Sequence, residues 1–295
     1  MSIAWDYAIS IALVHLLTIP VALPWLFSWT GLAACLVGVP LYGILGITLC
    51  YHRLLTHQGL VLPKWLEHFC ALLGVCTLQD TPARWVAIHR MHHLHSDERP
   101  DPHSPLVSFL WAHVGWLVIQ HREHRVVTFY EKYARDLLRD PFYFALERRL
   151  AWVWIYMAHT LLYFAAGLAI GWPWTGNVLG GVQLGLSLVV WGVFMRTLII
   201  WHGTWSVNSV AHVWGYRNYD TGDDSRNHWG VAVWAFGEGW HNNHHADQRA
   251  AIHGHRWWEF DITWQVIRVL MVLGLAKNVV KPRAWEEPEP LKRAA

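Results

Sequence analysis

Nine of the 21 histidines in this chain stand at spacings that suit metal ligation. Eight fall in three short windows: His52-Arg53-Leu54-Leu55-Thr56-His57, His89-Arg90-Met91-His92-His93 and His241-Asn242-Asn243-His244-His245. The ninth, His212, stands alone in Asn208-Ser209-Val210-Ala211-His212. Neutral imidazole is a ligand for iron, zinc, copper and nickel. On a helix the i, i+3 and i+4 positions share one face, so His89, His92 and His93 can converge, as can His241, His244 and His245. His52 and His57 reach one side only if the end of their helix loosens. Zinc has no redox chemistry, and its two-histidine hydrolases use an HExxH motif that this chain lacks. Nine ligands overfill one ion and suit two. Two irons with positions open for dioxygen fit the number, and redox-active iron can attack an unactivated C–H bond where acid–base groups are useless.

The elements that must carry these side chains show in the charge pattern. The chain is 54% hydrophobic, with a mean hydropathy of +0.20. No Asp, Glu, Lys or Arg stands between Asp6 and Arg53, or from Ala151 to Met195. Each void is about twice the ~20 residues that a membrane helix needs. Turn residues break both near the middle: Pro20, Pro24 and Gly31 in the first, Gly171, Pro173, Gly176 and Asn177 in the second. The pattern predicts an all-α membrane protein with four transmembrane helices in two hairpins, spanning about 7–27, 31–52, 150–171 and 178–201. The tips 24–31 and 172–177 hold no Lys or Arg, whereas 53–149 and the chain from Arg196 onward hold nearly all of them. The positive-inside rule then sets both termini and every histidine window on the cytoplasmic side. Trp25, Trp29, Trp172 and Trp174 flank the outer tips, and Trp111, Trp116, Trp201 and Trp205 are expected near the inner membrane face.

Three apolar stretches, Trp65–Leu78, Phe109–Ile119 and Ile262–Ala276, are too short to span and are expected as helices at the inner interface or against a cytoplasmic cap. That cap comprises 53–149 and 202–280. Residues 281–295 read as a disordered tail. Cys35, Cys50, Cys70 and Cys76 form no CxxC pair and are expected as buried thiols. Met1–Asp6 lacks the basic start of a signal peptide, so the first span is expected to stay as an anchor. A net charge of +2 without a basic run gives no reason to expect nucleic acid as a partner. The ligands lie at the inner ends of spans and beyond them, so the site should sit near the membrane surface. Transporters bind ions near the midplane, and apart from His52 at the very end of the first, the charge-free stretches hold only His15 and His159. A histidine-rich metal-transport protein is the rival of another class.

The three windows resemble the histidine boxes of membrane-bound fatty acyl desaturases, nearest the stearoyl-CoA and the bacterial and cyanobacterial delta-nine types. Asn208–Gly215, Asp223–Asn227 and Gly237–His245 are similar as well, and the resemblance runs from the second span through Trp264. It implies a single desaturase domain over 1–295, four spans and a cytoplasmic helical cap holding a di-iron site. It implies one iron on His52, His57, His89, His93 and His244. The other would take His92, His212, His241 and His245, with Asn208 holding a water. Dioxygen would be the co-substrate, and a cis double bond in an acyl chain the product. Gln79, Trp85 and Thr204 match the residues that line the bend of the acyl tunnel, and Ile44 is expected at its floor, where long-chain relatives carry Ala or Gly. Ala87, Gln120 and His121 stand where CoA-using members carry basic residues, which favours a lipid-linked or carrier-protein-linked chain over acyl-CoA. No HPGG haem motif is present, so electrons should come from a separate ferredoxin or cytochrome b5-like protein. A hydroxylase, acetylenase or alkane monooxygenase on the same scaffold is the nearest alternative. His15, His68, His121, His124, His159, His228, His253 and His255 are expected as exposed or hydrogen-bonded surface residues, and His95, His103, His113 and His202 at most as supports of the ligands. The expected setting is a bacterial cytoplasmic membrane.

Overall fold

The computed structural model describes residues 1–98 and 100–286. Four helices are long and apolar enough to cross a membrane: α1 (Trp5–Ala22), α2 (Trp29–Thr56) and, later in the chain, Ala151–Thr175 and Val178–His212. Between the two hairpins lie α3 (Lys64–Val75) and α4 (Pro82–His95). The second hairpin supplies α5 (Ala151–Thr175) and α6 (Val178–His212), followed by the short α7 (His241–Ala246) and by α8 (Ile262–Val272). Among the described residues the only sheet is a two-residue pair, Ser2–Ile3 antiparallel to Ile119–Gln120.

Helix limits follow from local chemistry. Pro20 and Pro24 have no N–H for the ladder, so α1 degenerates into 3-10 turns and stops short of the expected residue 27. Ser28 and Asn177 cap the N-termini of α2 and α6, accepting from Gly31 and Gly180. No breaker stands at 52 or 201, so α2 runs on to Thr56 and α6 to His212. Beyond Pro40, α2 winds as a π-helix from Leu41 to Thr56. Its bonds close at the fifth residue, as from the His57 N–H to the His52 carbonyl at 3.1 Å. Positions five apart therefore come onto one side.

The α5–α6 hairpin closes on small residues: a Cβ on Gly167 would lie 2.5 Å from the Gly185 Cα, so the backbones touch. α3 and α4 pack on the inner part of α2, burying Leu49, Tyr51, Ala71, Val75, Val86 and Ala87. α8 joins them through a 2.6 Å bond between Thr48 and Thr263. Arg196 is fully buried among the spans, donating to the Cys76 carbonyl at 2.7 Å with its guanidinium 3.9 Å from the Tyr42 ring centroid. It is thus a brace between helices rather than an interface charge. The four cysteines are free and buried, as expected. The supposed disordered tail is ordered at its start. Arg283–Glu286 is helical, and Arg283 donates to Asp247 and to the Ala246 carbonyl; residues 287–295 lie outside the described part.

Candidate metal centre

Four separate elements deliver the nine imidazoles to one place. The π-wound end of α2 sets the His52 and His57 rings 4.8 Å apart, the loosening that their spacing required. α4 presents His89, His92 and His93 from one face, the C-terminal end of α6 presents His212, and α7 presents His241, His244 and His245. Their nitrogens gather in two groups, His52, His57, His89, His93 and His244 in one and His92, His212, His241 and His245 in the other, each within 4.8 Å. The Nε2 atoms of His244 lie 3.1 Å from His52 and 3.0 Å from His93; those of His212 and His241 are 3.0 Å apart. Two ligands at right angles on one ion, each bound at ~2.1 Å, are separated by about that distance.

Carboxylates behind the rings decide which nitrogen faces inward. His52 donates from Nδ1 to Glu238 at 2.5 Å, His92 to Asp101 at 3.0 Å, His212 to Asp97 at 3.0 Å and His245 to Asp223 at 2.6 Å. With those protons committed, each Nε2 presents a bare lone pair to the interior. The His57, His92 and His245 Nε2 atoms are buried and have no hydrogen-bond partner among the described residues. Lone pairs facing one another at 3.0 Å, and orphaned nitrogens beside them, are unfavourable unless a cation lies between. The donor set therefore fits two imidazole-bound metal ions. Burial, and then the neighbouring imidazoles, hold His57, His89, His93, His241 and His244 well below the usual histidine pKa, in the neutral form that binds metal. Burial alone would raise the Asp101, Asp223 and Glu238 carboxyls. The facing histidines, and Arg53 for Glu238, outweigh it and keep them ionised.

These acidic residues were not singled out from the sequence. Asp97 and Asp101 closely follow the second histidine window, and Asp223 and Glu238 lie in two of the stretches that carry the resemblance. His253, expected at the surface, is 1% exposed, with its Nδ1 3.2 Å from Glu238 and its ring 4.4 Å from that of His244. The reason is a buried ionic knot: Arg53 donates to Glu238, to Asp261 and to the Ala251 carbonyl, drawing the 251–261 loop over the site. His255 is likewise buried, against Tyr219. His103, also buried, lies over His92 at 4.2 Å. In α7 the asparagines point away from the histidines: the Asn242 side chain accepts from the Asn218 and Tyr219 N–H groups, and Asn243 donates to Glu259. They anchor the short helix.

A cavity of about 580 Å³, mostly apolar, reaches the site at His52, His89 and His241. Met1, Tyr7, Gln120, His121 and His124 line one part of it, and Val39, Gly43, Ile47 and Phe236 another. Gln79, Trp85, Thr204 and Asn208 all line it, and Gln79 donates to Thr204 at 3.2 Å. Ile44 does not. It is buried outside the lining, to which α2 contributes Val39, Gly43, Ile47, Thr48 and His52. Trp111, Trp116, Trp201 and Trp205 also line the cavity. Ala87 is packed in the core and does not reach it.

The fatty acid desaturase family model matches residues 8–275. The chain is 45% identical to the sn-1 stearoyl-lipid 9-desaturase of Anabaena variabilis, over 86% of this chain and 85% of that one. It is 43% identical to the sn-2 palmitoyl-lipid 9-desaturase of Nostoc sp. (strain 36), over 87% and 84%. It is 39% identical to the acyl-CoA C20 Delta5-desaturase of Anemone leveillei, over 88% and 77%. The histidine windows and the last three spans lie wholly within residues 8–275, and the chain belongs to the fatty acid desaturase family and is a fatty acyl desaturase.

Proposed function

We propose that this is an oxygen-dependent, di-iron desaturase that introduces a cis double bond into a lipid-linked acyl chain, with position nine the expectation carried by its cyanobacterial relatives. The observation that carries it is the joining of two all-imidazole groups to an elongated apolar cavity that passes them. When bound, the irons would activate dioxygen and remove hydrogen from a methylene. The groups that hold them would be His52, His57, His89, His93 and His244 for one, and His92, His212, His241 and His245 for the other.

The protein's own part is geometric. The apolar walls hold the acyl chain and exclude water, while Trp85, its ring 4.9 Å from that of His89, presses the chain toward the centre. The Gln79–Thr204 bond is a polar brace in an apolar wall and would fix the bend that selects a cis product. Asn208, on the lining beside the second group, is placed to hold a water. Gln120 and His121, where CoA-using members are basic, offer no strong charge-assisted phosphate contacts, which supports a lipid-linked chain. The same reading sets the active site and both termini on the cytoplasmic side of a bacterial membrane, with electrons from a separate donor. Expression in a host with traceable lipids, followed by mass-spectrometric location of double bonds in each acyl pool, tests it. New cis alkenes in the glycerolipid pool are expected. Hydroxylated chains, or products confined to the CoA pool, would overturn the corresponding part.

A further inference from the structure

Of the nine imidazoles, only His93 and, marginally, His57 are open to solvent. His93 forms, with His57, the floor of a second, shallow recess of about 470 Å³, whose other lining residues are Thr56, Gln58, Arg90, Leu94, Gln248 and Arg249. None of the imidazoles that line the acyl cavity lines this recess, so the centre is approached from two separate faces. The rim is basic. Arg90 is paired with Asp136 and Arg283 with Asp247, whereas Arg249 and Lys281, both exposed, have no ion pair among the described residues. Lys281 is brought near because Val280 bonds to Gly59 and to Ala251. Leu94 adds an apolar contact, 64% exposed.

We infer that this recess is the docking surface for a small acidic one-electron carrier protein; the inference rests on the desaturase reading of the metal centre. Each turnover takes two hydrogen atoms from the acyl chain and reduces dioxygen to two waters. Two further electrons and two protons must enter, the electrons one at a time from two reduced carriers. Electron transfer falls steeply with distance, so a carrier must seat its cofactor where a ligand edge nears the surface, and His93 is that edge. The basic rim attracts a negatively charged partner and raises the encounter rate, and the small, partly apolar patch suits the brief contacts of electron carriers.

The test uses the purified holoenzyme in lipid nanodiscs and a plant-type [2Fe–2S] ferredoxin as probe. Binding is measured directly at several salt concentrations, and turnover is driven either by reduced ferredoxin or by dithionite. In the double variant Arg249→Glu, Lys281→Glu, the Kd and KM for ferredoxin are expected to rise roughly tenfold, equivalent to ~1.4 kcal/mol. The salt dependence should flatten, while the dithionite-driven rate holds. Arg268→Glu, an exposed charge reversal on α8, should change neither. Unchanged ferredoxin binding in the double variant would overturn the docking surface, and so would an equal loss of the dithionite rate, which would make the recess part of the centre. A wild-type protein that desaturates with neither reductant would count against the desaturase reading, and the binding measurement would still decide the surface.

Discussion

Glu238 carries more of the site than its single charge suggests. It orients His52, meets His253 and balances Arg53. Glu238→Gln removes the negative charge that pins His52 and is expected to lower iron affinity ~10–100-fold, measured as iron bound per protein during chelator titration. Arg53→Ala strands Glu238 and Asp261 without their counter-charge in a dry interior, a loss of ~3–5 kcal/mol readable from the thermal midpoint. Protonation supplies a third check. Burial pushes His245 and His255 down to about 4, and holds His57, His89, His93, His241 and His244 below the usual histidine range too. An unfolded histidine titrates near ~6.5, so below that the unfolded chain binds more protons than the folded one. The iron-free protein should be most stable above pH ~6.5 and lose stability as pH falls toward 4, by up to ~1.4 kcal/mol per pH unit for each of these lowered imidazoles. A flat profile between pH 8 and 5 would refute this. The histidines themselves were legible because helical spacing puts them on shared faces. The carboxylates and His253 were not, since Asp97, Asp101 and Glu238 reach their rings through loops, where chain distance has no period.

At the scale of elements, the spans were legible from the absence of charge, but their ends and winding were not. Nothing in composition marks where α2 leaves the membrane, or that it winds with five-residue closure from Leu41. That winding also decides which residue meets the acyl chain. With Gly43 on the wall and Ile44 off it, Gly43→Val should shift product distribution toward shorter chains, because inserting branched methyls into a close-packed apolar site costs ~1–3 kcal/mol. Ile44→Gly should leave the length profile unchanged while lowering stability. Assays with acyl chains of graded length separate the two, and a length shift in the Ile44 variant alone would reverse the assignment. The α5–α6 hairpin makes a plainer prediction. At Gly185 any Cβ already meets the Phe164 backbone and ring at 2.8 Å, so Gly185→Leu should force the helices apart and lower the thermal midpoint well below that of Trp174→Cys at the exposed tip.

For the molecule as a whole, the proposed orientation is open to direct labelling. The native cysteines are all buried, so an introduced thiol reports its own side of the membrane. A membrane-impermeant maleimide added to intact cells should label Trp174→Cys and leave Lys277→Cys unmodified until the membrane is opened; the reverse pattern would invert the topology. One more consequence lies in the length of α6. Its 35 residues extend ~52 Å at 1.5 Å per residue, against a hydrocarbon core of ~30 Å. In the proposed orientation His212, at its far end, stands well clear of the lipid. An acyl chain must be drawn out of the bilayer to be desaturated, and crossing open water would cost ~0.8 kcal/mol for every methylene exposed. Tyr7, Ser10 and Ile11 of α1 form part of the cavity wall, so in the proposed setting the chain can pass from lipid into protein beside α1 without crossing open water. The extraction is then close to thermally neutral, and turnover should respond to how the bilayer releases its lipids more than to any dissolved substrate pool.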